Sequence, residues 1–211
     1  MPAVKKVTKE DIIKASINII RDSGIEKLST RNIASKLNCS TQPIFYYYSN
    51  MEELKIDVLK EISNIFDASM LKSNYDRPVY KDIGKNYIAF AREEPVLFNI
   101  LFSSTINDEV LGFVDLNGTS EFIAEVISKQ TGLTKEQAKN FHLKMWLFVN
   151  GIASLVANNT FNFSDEEIDN LLSEQYLSMI LLEIKKGNVK KDLIDFYMNN
   201  KLKTKNCDNN E

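Results

Sequence analysis

Apolar residues recur at helical spacing along most of this chain, and polar or glycine-containing breaks divide them into segments. Ile12, Ile13, Ala15, Ile17, Ile19 and Ile20 form a broad first stripe. Thr8 stands before it as an N-cap with Glu10 and Asp11 in the first turn, and Ser23-Gly24 ends it, Gly24 supplying a left-handed cap. Ile25 and Leu28 pack beneath a short second helix that starts at Ser29 or Thr30 and turns Ile33, Ala34 and Leu37 inward. Small Ala34 lets crossing helices approach closely. Asn38-Cys39-Ser40 breaks the pattern, with Asn where a left-handed residue permits a sharp turn. Ser40 caps a third short helix, in which Ile44 and Phe45 point inward beside Tyr46, Tyr47 and Tyr48. Two short helices joined by a turn of three or four residues are the usual form of a DNA-reading helix-turn-helix.

The remaining pattern is also helical. A long amphipathic helix from Asn50 to about Lys72 carries Leu54, Val58, Ile62, Ile65 and Phe66 on its inner side. Asp76-Arg77-Pro78 caps a helix through Ile83, Tyr87, Ile88 and Phe90, which Glu94-Pro95 breaks. Val96 to Phe102 reads as a short, deeply buried helix, and Ser103 to Thr119 as irregular. A helix through Phe122, Ile123, Val126 and Ile127 stops at Thr131-Gly132. Capping boxes at Thr134-Lys135-Glu136-Gln137 and Ser164-Asp165-Glu166-Glu167 open two long helices, reaching about Asn158 and Lys185. Both are apolar on more than one face, and a second subunit is the economical way to cover them. Residues 189–202 are weakly helical in pattern. The expected architecture is all-α: a three-helix head at residues 1–50, a larger helical bundle at 51–202 and a disordered polar tail at 203–211.

Composition narrows this without changing it. Seven glycines and four prolines in 211 residues argue against a turn-rich β fold. No apolar run approaches the roughly 18 residues a membrane span needs, and the N-terminus lacks the apolar core of a secretory signal. Cys39 and Cys207 make neither a disulfide framework nor a metal site, so a cytoplasmic protein without a cofactor is expected. The net charge of −3 is unevenly spread. Residues 1–50 hold eight basic and four acidic side chains, the remainder 18 basic and 25 acidic. A basic head on an acidic body suits a protein that meets a polyanion at one end. One histidine, no nucleophile motif, no phosphate-binding glycine loop and no metal-ligand spacing leave nothing from which to assemble an enzyme. A helical protein-interaction module stands as the alternative from another class, and loss of salt-dependent duplex binding would favour it.

Across residues 8–55 the chain resembles the tetracycline-repressor-like (TetR) family of bacterial transcription regulators. The likeness lies in the capped first helix, Thr30-Arg31-Asn32-Ile33-Ala34, the Leu37-Asn38-Cys39-Ser40 turn, Ile44-Phe45-Tyr46-Tyr47-Tyr48 and Asn50-Met51-Glu52-Glu53-Leu54. It departs at Asn38, where the family usually has Gly, at Phe45 (Tyr), Tyr47 (often His), Tyr48 (Phe) and Met51 (Lys), the last removing a phosphate contact. Glu94 to Phe98 and Trp146 to Ile152 look like a subgroup with a Trp-x-x-x-His-Gly signature, Asn150 replacing the His. The resemblance implies an all-helical homodimer joined through its last two long helices. It also implies double-stranded DNA as partner and a pocket in each body for a small-molecule effector.

Within that frame, Thr41 and Gln42 are candidates for base contact, Gln being able to pair bidentately with adenine. Pro43 offers an apolar face early in the helix, and Arg31 reaches a guanine or a phosphate. Thr30, Tyr46, Tyr47 and Lys55 are candidate phosphate ligands, Ser40 joins the DNA-facing set, and Tyr48 is read as core against the first helix. Candidate effector-lining residues are Tyr87, Phe90, Phe98, Phe102, Phe122, His142, Trp146 and Asn150. Their aromatic character points to an apolar or aromatic molecule. The expected action is repression of a palindromic operator, relieved by that molecule; a regulator without a small-molecule ligand is the alternative.

Overall fold

The computed structural model describes residues 7–70, 72, 80–102, 119–190 and 192. All regular structure among them is helical: α1 (Lys9–Ser23), α2 (Thr30–Lys36), α3 (Gln42–Tyr47), α4 (Met51–Met70), α5 (Tyr80–Glu93), α6 (Pro95–Phe102), α7 (Thr119–Thr131), α8 (Lys135–Ala157) and α9 (Asp165–Lys185). A 3-10 turn, Ile25–Lys27, joins α1 to α2. Residues 1–6, the Asp76-Arg77-Pro78 cap, all but the last residue of the irregular stretch Ser103 to Thr119, most of the weak helix expected at 189–202 and the tail lie outside the described residues. None of the described helices is long and apolar enough to cross a membrane.

Local chemistry sets the helix starts. Thr8 accepts from the Asp11 amide at 3.1 Å while the Asp11 carboxylate accepts from the Thr8 amide at 3.1 Å, a reciprocal capping box. Thr134 with Gln137 and Ser164 with Glu167 repeat it at α8 and α9. At α2 the cap is Ser29, which accepts from the Asn32 amide at 3.2 Å. Asn38 takes φ 51°, the left-handed conformation that lets the chain turn from α2 into α3.

Three local expectations need correction. Gly24 has positive φ (82°), but its ψ of 165° puts it in an extended region open only to glycine and not in the left-handed helical one. Ser40 does not cap α3; Thr41 holds the N-cap position, itself in helical geometry and without a side-chain cap bond. Phe45 does not point inward: 56% of its surface is exposed. In a six-residue helix only one narrow stripe faces the core, and Ile44 and Tyr48, four apart, occupy it.

The head packs α1, α2 and α3 around Ile12, Ile20, Ile33 and Ile44, and α4 closes it with Leu54. Further along α4, Val58, Ile62 and Phe66 run into the core of the body. There α5 is central, contacting α4, α6, α7, α8 and α9. The Asn86 side chain of α5 donates to the carbonyls of Met70 (3.0 Å) and Lys72 (2.6 Å), satisfying the end of α4. Lys81 and Lys85 both pair with Asp169 of α9 at 2.6 Å, and Glu121 of α7 pairs with Lys135 and Lys139 of α8.

Candidate nucleic-acid interface and buried aromatic cluster

Two groups of side chains stand out, one outside the head and one inside the body. On the head, α3 turns Gln42, Phe45 and Tyr46 to solvent, residues that share one helical face at spacings of three and four. Tyr46 is the most open, with 77% of its surface exposed. Its ring meets that of Tyr47 edge-on at 5.0 Å, and Tyr47 is half-buried against the core. Pro43 lies in the first turn of α3, where its missing N–H costs no helical hydrogen bond. Ser40 is exposed, and Thr41 is half-buried at the N-cap position.

The flank of this face comes from α2 and α4. Thr30 begins α2 half-buried, and Arg31 next to it is exposed. Lys55 is half-buried, with Nζ 2.8 Å from Glu52 one turn earlier, so its charge is already locally partnered. Tyr48 is buried as expected from the sequence. Lys9 lies over its ring at 5.3 Å and pairs with Asp57 of α4 at 2.6 Å. Burial, then the nearby Asp57 carboxylate, pushes the Tyr48 hydroxyl well above its ordinary range.

Inside the body, the structure brings together Tyr87, Phe98 and Phe102, with ring centroids 4.9–5.6 Å apart. Phe66 of α4 joins them at 5.5 Å from Tyr87 and 5.1 Å from Phe102, and it also carries Phe90 at 5.3 Å. The Tyr87 hydroxyl donates to Asn150 Oδ1 at 2.8 Å, with Trp146 one turn before Asn150 on the same face of α8. Burial drives the Tyr87 hydroxyl far up, with Trp146 opposing. Two turns before Asn150, His142 Nδ1 lies 3.1 Å from the Tyr80 hydroxyl. Burial lowers the His142 pKa to about 4, which keeps the imidazole neutral.

Two hydrogen bonds therefore join α5 to α8 within an aromatic interior. Phe122 is not brought to this cluster; it sits on α7 with 42% of its surface exposed. Sequence reasoning missed Phe66, Tyr80, Phe141 and Tyr176 as members of the interior aromatic set, the last three packed at 5.5–6.5 Å. The available signal was Tyr80 seven residues before Tyr87, two turns along one face. Phe45 was the omission on the head.

Outside this interior, Leu143, Leu147 and Leu155 of α8 and Leu181 and Leu182 of α9 remain exposed. The three α8 leucines repeat at multiples of four and form a stripe.

Residues 12–58 match the family model "Bacterial regulatory proteins, tetR family". No curated protein matches the chain by sequence. Among solved structures, the TetR-family protein SCO1917 from Streptomyces coelicolor A3 superposes with a TM-score of 0.58 at 15% identity, covering 79% of this chain and 96% of that one. The multidrug binding protein EbrR, in complex with malachite green, superposes with a TM-score of 0.58 at 13% identity, covering 79% and 96%. BioQ, with its double-stranded DNA operator, gives 0.51 at 14% identity over 81% and 99%. At these identities the likeness is one of fold.

Proposed function

We propose, from the match of residues 12–58 to the model of the tetR family of bacterial regulatory proteins, that this chain is a member of that family and a homodimeric repressor released from a palindromic operator by a small effector. The observation that carries the reading is the outward row Gln42, Phe45 and Tyr46 on a short helix held over an aliphatic core. A helix of this kind lies in the major groove with its early side chains against base edges. Thr41 and Gln42 read bases, Pro43 and Phe45 offer apolar contact, and Arg31 reaches a guanine or a phosphate. Thr30, Ser40, Tyr46, Tyr47 and Lys55 hold the backbone, Lys55 after leaving Glu52.

The exposed leucines of α8 and α9 support pairing of two copies through those helices. Solved relatives in fold support the two kinds of partner: EbrR was captured with malachite green and BioQ with its operator. In this reading the effector sits against Tyr87, Phe90, Phe98, Phe102, His142, Trp146 and Asn150. Phe122, on the surface of one chain, takes part only through a rearranged α7. Release requires that the effector bind the non-DNA state more tightly.

Selection of bound sequences from random duplexes tests the reading, followed by titration of the selected duplex at several salt concentrations. A palindromic consensus and an affinity falling steeply with salt are expected. Recovery of no consensus, with salt-independent retention, would overturn it.

A further inference from the structure

Among the described residues the head meets the body through α4, through packing of α1 against α6, and through an ion pair that the DNA-reading role does not require. The first attachment is α4 itself, which begins beneath the head and runs into the body core. The ion pair joins Arg21, in the last turn of α1, to Glu94, 73 residues away. Arg21 Nε donates to Glu94 Oε2 at 2.9 Å and Nη2 to Oε1 at 2.7 Å, a two-pronged contact with directional character that a lysine would lack. Arg21 Nη1 also reaches Asn18 Oδ1 at 3.4 Å, holding the guanidinium on α1.

Glu94 is a rigid anchor. Its amide donates to the Phe90 carbonyl at 2.8 Å, closing α5, and its carbonyl accepts from the Phe98 amide at 2.9 Å, opening α6. Two residues earlier, Arg92 grips the other side of the body. Its Nη1 lies 2.9 Å from Asp165 Oδ1 and its Nη2 donates to the Phe163 carbonyl at 2.8 Å, both at the start of α9. The corner between α5 and α6 thus holds the reading head with one side chain and the first turn of α9 with another.

We infer that Arg21 and Glu94 are positioning residues that fix the angle of the reading head on the body. Attachment through α4 and the packing of α1 on α6 alone would leave the head freer to tilt where α3 passes into α4. The directional, off-axis ion pair restricts that freedom. The angle matters because two heads of a dimer must meet grooves about 34–36 Å apart or a multiple of that. This inference rests on the DNA-binding reading above, so its test has one readout with DNA and one without.

The first readout uses the full-length protein and its selected operator, with the spacer between half-sites varied one base pair at a time. The wild type should prefer one spacing sharply. Arg21→Met and Glu94→Gln should each cut the discrimination between the best and next-best spacing about fivefold, while affinity for a single half-site holds. The reversed pair, Arg21→Glu with Glu94→Arg, should recover part of it. The second readout is the spin-label distance between Glu26→Cys and Glu136→Cys, in a Cys39→Ser, Cys207→Ser background diluted with unlabelled protein. Its distribution should broaden in the single variants and narrow again in the reversed pair. Distributions and spacing profiles identical to the wild type in both single variants would overturn the clamp. Absence of any duplex binding would overturn the DNA reading instead, and the distance measurement would still judge the clamp.

Discussion

The head and the body use tyrosine in opposite senses. In the head the buried set is aliphatic, with Ile12, Ile20, Ile33, Ile44 and Leu54 joined by the single ring of Tyr48, while Tyr46 points outward. In the body an aromatic cluster lies within a larger aliphatic core, and Tyr80 and Tyr87 turn their hydroxyls inward to His142 and Asn150. An aliphatic core needs no internal hydrogen bond and leaves polar chemistry free for the surface. An aromatic cluster threaded by hydrogen bonds places chemical selectivity inside, where a partner must replace those bonds to enter. The contrast supports the proposed division, in which the head reads an external polymer and the body a molecule small enough to enclose.

The largest expected effect lies in the body. Phe98 is fully buried and touches both Tyr87 and Phe102, so Phe98→Ala should cost about 3–5 kcal/mol in denaturant unfolding. If the cluster instead adapts its shape easily, the loss will be well under half of that, and the image of a tightly packed interior fails.

Next in size is a pH effect that only the body should show. His142 titrates at about 4 when folded against an ordinary value of 6.5. Between those values the unfolded chain binds a proton that the folded chain refuses. Stability should therefore fall as pH drops from 6.5 to 4, by up to about 3 kcal/mol, and this group adds nothing further outside that window. Unfolding midpoints of the wild type and His142→Gln across the window measure it. Parallel curves would mean that His142 accepts its proton without penalty.

The same contrast explains what could be read from the sequence. Helix starts were legible because caps are local: Thr8, Thr134 and Ser164 each announce themselves with a partner three residues on. The left-handed Asn38 was legible for the same reason. Phe45 was misplaced by its hydrophobicity, since helical spacing favours Ile44 and Tyr48, four apart, over the adjacent pair Ile44 and Phe45. Among the interior candidates, Tyr87, Phe98 and Phe102 met while Phe122 stayed outside, since periodicity gives a residue's face on its helix but not the neighbour that face meets. The pairs Tyr80 with His142 and Tyr87 with Asn150 join residues 62 and 63 positions apart, a relation that only packing creates.

Removing one hydroxyl from each region sharpens the comparison directly. Tyr87→Phe leaves Asn150 Oδ1 without its donor and should cost about 1–3 kcal/mol of stability with duplex affinity unchanged. Tyr46→Phe, on an exposed ring, should leave the unfolding midpoint in place and weaken duplex binding with the salt dependence unchanged, since a neutral hydroxyl releases no counterion. Calorimetry and operator titration on both variants give a two-by-two result. A stability loss in Tyr46→Phe, or a binding loss in Tyr87→Phe, would erase the division between outward and inward tyrosines.

The smallest effects come from caps, where the two regions should agree in stability and part in function. Ser29 accepts from the Asn32 amide at 3.2 Å and Ser164 from the Glu167 amide at 3.2 Å, so each Ser→Ala change should cost about 1 kcal/mol. Ser29 secures the start of α2, which carries Thr30 and Arg31 and leads through Asn38 into α3. Ser164 secures α9, distant from the reading face in sequence and attached to other helices of the body. Loosening α2 should therefore weaken operator binding about twofold to fivefold, in proportion to the cap energy. Loosening the start of α9 should leave the affinity for a single half-site unchanged. Equal losses of half-site affinity in Ser29→Ala and Ser164→Ala would mean that the head inherits its order from the body, and the two regions would have to be treated as one cooperative unit.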